Sequence, residues 1–388
     1  MGPFDEPGDM SRHSGRVGLP LRVMAFNIWH GGRLDGSHDA LSTENVAQLL
    51  EFLRLADPDL LFCVETYGTG RLIERALNTA RSDERVVRGI QLTPEQPKHE
   101  LGTGERGTHT SRARAGHGRN GAMRDSLKRG RDNLWLYTWL PVAGVYSAPL
   151  AGVLTSFNVG GVRIVLPDGT DLHAFTIWLH HLDDPVAATT RAVLERERGR
   201  PPSMTEDQIV ATDRSRRLPM ASMFLDRLRA WVPDDSAPVI IGGDFNSLSH
   251  LDWSAAYADA PGHGGLVLDW PVMRAFEAAG FTDTYRLANP DAARHPGDTK
   301  PNRVGFHVPA RIDYILTRGE GIRVVRSYLH TRRLPQHRGG PLDRRYPFYS
   351  DHAAVVNELV VSGAGSGTGG GASSRRSAER ELTNRGGT

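Results

Sequence analysis

The sequence holds one cysteine, Cys63. No internal disulfide can form, and a disulfide scaffold or thiolate zinc cluster is excluded. The thiol lies in the run Leu60-Leu61-Phe62-Cys63-Val64, where a reduced, buried side chain is expected. No stretch approaches the roughly 20 apolar residues that span a bilayer. Met1 to Pro20 carries proline, glycine and charges without an apolar core, so neither a signal peptide nor a transmembrane segment is expected and a cytoplasmic location is. A charge imbalance is also missing: 47 Lys plus Arg stand against 45 Asp plus Glu, a net +2. Any function based on charge therefore has to be local. Lysine occurs only at Lys98, Lys128 and Lys300. The Gly-x-Ser-x-Gly elbow, the His-Glu-x-x-His helix and the Walker lysine loop are absent, which weakens acyl transfer as a reading.

What is there suffices for a core, since 39% of the 388 residues are apolar. Three segments lack apolar periodicity: tails 1–19 and 362–388, both expected to be disordered, and a Gly/Arg-rich stretch of about 91–132, read as a flexible insertion. The domain is expected to cover 20–361 as a monomer. Strand-like runs occupy Leu21 to Ile28, Asp59 to Val64, Leu134 to Trp139, Val162 to Leu166, Leu172 to Leu179, Val239 to Ile241, Ile312 to Leu316 and Ala353 to Val360. Helical spacing appears in Thr43 to Leu55, behind Ser42 or Thr43 as cap, in Asp213 to Trp231 and in Trp270 to Ala279. Strands and helices do not alternate strictly, which favours a layered α/β (α+β) domain with mixed sheets.

Polar residues follow the apolar runs. Asn27 ends the first, Glu65 the second, His180 and His181 another, and Asp244 and Asn246 follow Val239 to Ile241. Asp313 interrupts a further run, and Ser350-Asp351-His352 opens the last. Singly, each reads as a turn former or a solvated cap. Gathered on one edge, they would form a site of carboxylates, amides and imidazoles. Oxygen donors without thiolates suit Mg²⁺ or Mn²⁺ better than zinc. Such a site suits phosphoester hydrolysis. Asp313, set among Ile312, Tyr314, Ile315 and Leu316, would be costly to bury without a partner, for which a histidine is the natural choice.

Phe26-Asn27, Glu65, His181-Leu182, Gly243-Asp244-Phe245-Asn246, Asp313-Tyr314 and Ser350-Asp351-His352, in this order, resemble the endonuclease/exonuclease/phosphatase superfamily over about Leu21 to Val361. The resemblance implies a DNase I-like, four-layer sandwich of two packed mixed β-sheets flanked by helices. It also implies metal ligands Glu65, Asn27 and Asp351 and the catalytic set His181, Asp244, Asn246, Asp313 and His352. In that scheme Asp244 activates water, Asn246 and His181 contact phosphate, and Asp313 orients His352. His181 is preferred over His180 because His-Leu is the family pairing, and in a strand the two face opposite ways.

The expectation is a divalent-metal-dependent phosphoesterase, cleaving mono- or diesters by in-line water attack, with a slight preference for a small or lipid-linked substrate. The alternatives are a DNA or RNA endo- or exonuclease, and a catalytically inactive phosphate- or partner-binding module. Residues 98–132 carry nine basic against four acidic side chains, a local +5. They hold no aromatic residue on which bases could stack, so a solvated linker is favoured over a nucleic-acid groove. Gly-x-Gly-x-x-Gly occurs at Gly102 to Gly107 and Gly116 to Gly121, but neither follows a strand or opens a helix, so dinucleotide binding is rejected. Trp253, Tyr257 and Trp270 flank the Asp244 loop and are expected to pack rather than bind.

Overall fold

In the computed structural model, residues 18–79, 83–93, 132–146, 153–182, 184–300 and 308–363 are described. Most of both tails, most of the insertion and both glycine motifs lie outside them. Twelve strands among the described residues form two six-stranded sheets. The first has the order β11-β12-β1-β2-β4-β3, with β1 Leu19–Asn27, β2 Leu60–Val64, β3 Arg88–Gln91, β4 Trp135–Thr138, β11 Ile322–His330 and β12 Ala354–Val361. The second has the order β5-β6-β7-β8-β10-β9, with β5 Val142–Tyr146, β6 Val159–Val165, β7 Asp171–Trp178, β8 Val239–Asp244, β9 Thr282–Asp283 and β10 Asp313–Arg318. Each is mixed, because β1 runs parallel to β2 and β7 parallel to β8 among antiparallel neighbours. These are the two packed mixed sheets that the resemblance implied.

Side-chain alternation along the strands builds the layers. Leu21, Val23 and Ala25 of β1 and Leu60, Phe62 and Val64 of β2 face the second sheet, joined there by Leu172, Ala174, Ile240 and Ile315. The intervening Met24, Phe26, Leu61 and Cys63 face outward, under Leu49, Phe52 and Leu53 of helix α1, Ala40–Ala56, and Ile73 and Leu77 of α2, Gly70–Leu77. Helix α3 spans Pro185–Glu197, α4 Glu206–Trp231 and α5 Pro271–Ala278. On the other outer face, Phe224 and Leu228 of α4 and Phe276 of α5 cover Phe175, Ile177 and Ile241. Cys63 is fully buried and burial raises its thiol pKa, as the apolar run implied.

The cap of α1 departs from expectation. Asp39 accepts the Ser42 N–H at 2.7 Å, so the helix starts before Ser42 and Thr43. A carboxylate facing that free N–H is the stronger cap. Among the described residues, no helix is long and apolar enough to cross a membrane.

The topology decides where the polar residues go. β1 and β2 are parallel, so Asn27 and Glu65 leave the sheet at the same end; β7 and β8 deliver the residues after Trp178 and Ile241 likewise. β10 and β12 run the opposite way to β8 and β1, so their first residues, Asp313 and those before Ala354, return to that end.

Candidate active site

Asp313 lies directly opposite Asp244 in the β10–β8 ladder. Both are buried, as is His352. His352 Nδ1 lies 2.8 Å from Asp313 Oδ2, so the buried carboxylate has the imidazole partner its surroundings demand. Side-chain ligand atoms of Asp244, Asp313 and His352 all fall within 4.8 Å of one another. Asn27 joins this trio to Glu65: its amide nitrogen donates to Asp244 Oδ2 at 3.0 Å and to Glu65 Oε1 at 3.3 Å, and lies 3.5 Å from His352 Nε2. Its orientation is set by the Trp29 N–H, which donates to Asn27 Oδ1 at 2.9 Å.

Asn246 holds Asp244 from the other side, through its backbone N–H to Oδ1 at 2.8 Å and its amide to Oδ2 at 3.1 Å. The same amide donates to the Leu179 carbonyl at 3.0 Å, tying the β8 loop to the β7 loop. Asp351 Oδ1 is 3.8 Å from His352 Nε2. His181 is exposed and stacks on the Trp178 ring, centroids 5.3 Å apart. His180 is half-buried and its Nδ1 accepts the Leu182 N–H at 3.4 Å. The structure thus gathers Asn27, Glu65, Asp244, Asn246, Asp313, Asp351 and His352, with the two histidines on the adjoining loop.

Electrostatics follow from crowding. Burial and then the Asp313 charge raise the Asp244 carboxyl above the usual carboxylate range. Burial alone would lower His352, but Asp313 and Asp351 outweigh it and hold the imidazole above its ordinary value. Asp313 Oδ1 is buried without a hydrogen-bond partner. An orphaned carboxylate oxygen beside further acidic groups, with no thiolate near, fits a hard divalent cation. Backbone strain concentrates here too: Trp29, His30, Glu65, Tyr67 and Asn246 have φ between 37° and 58°, a left-handed conformation costly for side-chain-bearing residues.

Several residues support these groups, and most of them carry no mark in the sequence. Thr299 Oγ1 accepts the N–H of Ile312 and of Asp313, each at 3.0 Å, and the Thr299 carbonyl accepts the Ala353 N–H at 2.7 Å. One residue therefore fixes the backbones of both Asp313 and His352. Ser350 Oγ donates to the Asn27 carbonyl at 2.7 Å. Asn133 Oδ1 accepts the Glu65 N–H at 2.9 Å. Asp132 is buried and accepts from Gly68 N–H at 2.7 Å, Thr66 Oγ1 at 3.0 Å and Trp135 Nε1. Its place at the edge of the Gly/Arg-rich segment made it look like one more solvated linker charge. Asp298, pushed up to about 7 by burial, also feels the His352 charge. Of the flanking aromatics, Trp253 and Trp270 are core residues as expected, whereas Tyr257 is only partly buried and donates its hydroxyl to the Pro290 carbonyl at 2.9 Å.

A family model described as "Endonuclease/Exonuclease/phosphatase family" matches residues 24–352, a span that includes every residue of the cluster. An uncharacterised protein of Caenorhabditis elegans is 30% identical over 229 residues, 53% of this chain and 66% of that protein; the chain thus spans just under two thirds of that relative. Among solved structures, the human Nocturnin catalytic domain with bound sulfate superposes with a TM-score of 0.52 at 14% identity, covering 90% of this chain and 97% of that one. An endonuclease/exonuclease/phosphatase from Beutenbergia cavernae gives 0.48 at 18% identity, over 90% and 73%. At 14% identity the Nocturnin match speaks for the fold alone.

Proposed function

The chain belongs to the endonuclease/exonuclease/phosphatase family, and on that premise we propose that it is a divalent-metal-dependent phosphoesterase acting by in-line attack of water. The observation that carries the reading is the Asp313–His352 pair at 2.8 Å, packed against Asp244. A module that only bound phosphate would have no need to bury a second acid behind its imidazole.

Asp244, fixed by three hydrogen bonds from Asn27 and Asn246, orients the water and accepts its proton. Its raised proton affinity suits that task. The water oxygen bonds to phosphorus as the ester oxygen departs, and solvent protonates the leaving alkoxide. His352, kept protonated by Asp313, faces the phosphoryl oxygens and stabilises their charge. Asn246 and His181 contact the phosphate. Glu65 and Asp351 would hold Mg²⁺ or Mn²⁺, with Asp244 and Asp313 close by and Asn27 beside Glu65. When bound, that ion supplies Lewis-acid polarisation of the phosphoryl oxygens. A net charge of +2 favours a small or lipid-linked phosphoester over a long polyanion.

The test is turnover of plasmid DNA, RNA, bis-p-nitrophenyl phosphate, p-nitrophenyl phosphate and inositol phosphates with Mg²⁺, Mn²⁺ or EDTA. Metal-dependent turnover should fall by about 10²–10⁴ in Glu65→Ala, Asp244→Ala and His352→Ala, with circular dichroism melts showing the fold retained. Near-wild-type turnover in all three would sink the reading. Activity on nucleic acid alone would replace the small substrate with a nuclease's.

A further inference from the structure

Helix α4 does something unusual where it covers the second sheet. Its later turns bury apolar groups such as Phe224 and Leu228. Two earlier turns instead bury Asp213 and Arg217, spaced i,i+4, both with 0% side-chain exposure and 3.7 Å between Oδ1 and Nη1. Removing two charges from water is expensive, and such pairs give little or no net stability over apolar residues of similar size. The reason for this one lies in what each member holds.

Asp213 Oδ2 accepts the Ser247 hydroxyl at 2.9 Å. Arg217 Nη2 donates to the Leu182 carbonyl at 2.8 Å. Ser247 follows Asn246, and Leu182 follows His181. Two hydrogen bonds from adjacent turns of one helix therefore reach the two loops that leave the parallel strands β7 and β8. Those loops meet directly through Asn246 Nδ2 and the Leu179 carbonyl, 3.0 Å apart. Asn246 has a left-handed φ of 50°, which persists only where surrounding contacts over-determine it. The Tyr314 hydroxyl, donating to the Ser247 carbonyl at 3.0 Å, grips the same loop from β10.

We propose that Asp213 and Arg217 are positioning residues: the buried pair sets the separation between the loop carrying His180 and His181 and the loop that follows Asp244 and carries Asn246. The role in turnover rests on the phosphoesterase reading; the role in loop spacing does not. The pair acts through Ser247 and Leu182 and touches no reacting atom.

An Asp213→Leu/Arg217→Met double variant separates positioning from stability, because it replaces the ion pair with apolar groups and leaves no buried charge unpaired. Its Tm should equal or exceed that of the wild type. On the phosphoester that the wild type hydrolyses, kcat should fall by up to about a hundredfold, the cost of misplacing reacting groups by about 1 Å. KM should stay within about twofold, since the loss belongs to the transition state. Ser247→Ala, which cuts one tether and buries no charge, should lower kcat by a smaller factor. In a crystal structure of the double variant, the contact between Asn246 Nδ2 and the Leu179 carbonyl should be broken. Retention of that contact, unchanged kcat, or a parallel loss of Tm and kcat would each overturn the proposal. If the wild-type chain hydrolyses none of the phosphoesters, the crystal structure decides alone: a broken contact supports loop positioning while the phosphoesterase reading fails.

Discussion

At Asp313 a fully buried carboxylate spends one oxygen on His352 and leaves the other without a hydrogen-bond partner. The charge matters because burial alone would pull the imidazole toward neutrality. Asp313→Asn keeps the shape and removes the charge, so the His352 imidazole should hold its proton less tightly. A group that orients another through one hydrogen bond is worth about 10–100-fold in activity. We expect a kcat loss of that size at pH 7 with an intact circular dichroism spectrum, and an unchanged kcat would show that His352 works without its acid. The residues of this cluster were legible because each stands out against an apolar run: Asn27, Glu65, Asp244, Asp313 and His352 all sit at a strand's end or beginning. Thr299 and Asn133 were not marked, because they act on backbone groups of residues brought near only by folding, as Asn133 does on Glu65 from 68 positions away.

Among the elements, β8 is the one whose sequence is tied most closely to the site. Gly243 has a φ of 146°, and a β-carbon there would collide with the Ile177 carbonyl of the parallel neighbour β7. Only glycine lets the two strands approach while Asp244 keeps its register opposite Asp313. Gly243→Ala should therefore shift Asp244 and destabilise the second sheet by about 1–3 kcal/mol. The measurement is a urea melt with parallel kinetics; a normal midpoint with normal kcat would refute the close-packing argument. The eight apolar runs all became strands, since buried strands announce themselves by hydrophobicity. Strands β3, β5, β9 and β11 escaped notice because they are edges. Most of their residues are only partly buried, as in the alternating pattern of Val142–Tyr146, and a one-faced strand of mixed polarity resembles a loop. Helix α3 begins with Asp184 capping Val186 at 2.9 Å, but its small and β-branched residues, Ala187 to Thr190, blur the helical period.

At the scale of the whole molecule, stability in acid is set by buried groups that oppose one another. Burial pushes Asp213 up to about 6 and Asp298 up to about 7. Their ionisation is resisted in the folded chain, so their penalty is fully present above those values and disappears as pH falls toward the unfolded carboxylate pKa of about 4. His330 works the other way. Half-buried, with its ring 5.3 Å from Phe52 and 5.5 Å from Tyr328, it is lowered to about 4 by burial, helped by the Arg22 charge. The folded state prefers the neutral ring, whereas the unfolded chain protonates near 6.5. The stability His330 lends is complete above pH 6.5 and is lost as pH falls through 6.5 toward 4. The full shift corresponds to about 3 kcal/mol, a large share of a typical domain's 5–15 kcal/mol. The acids gain where the histidine loses, so the two trends oppose one another in the wild-type Tm between pH 7 and 4.5. His330→Phe keeps an aromatic ring against Phe52 and removes the histidine's titration, leaving the carboxyl contribution unopposed. Its Tm, measured relative to wild type by calorimetry at each pH, should rise steadily from pH 6.5 to 4.5. Parallel Tm curves for the two proteins would mean that His330 titrates alike in the folded and unfolded chain, and that other groups govern the acid limb.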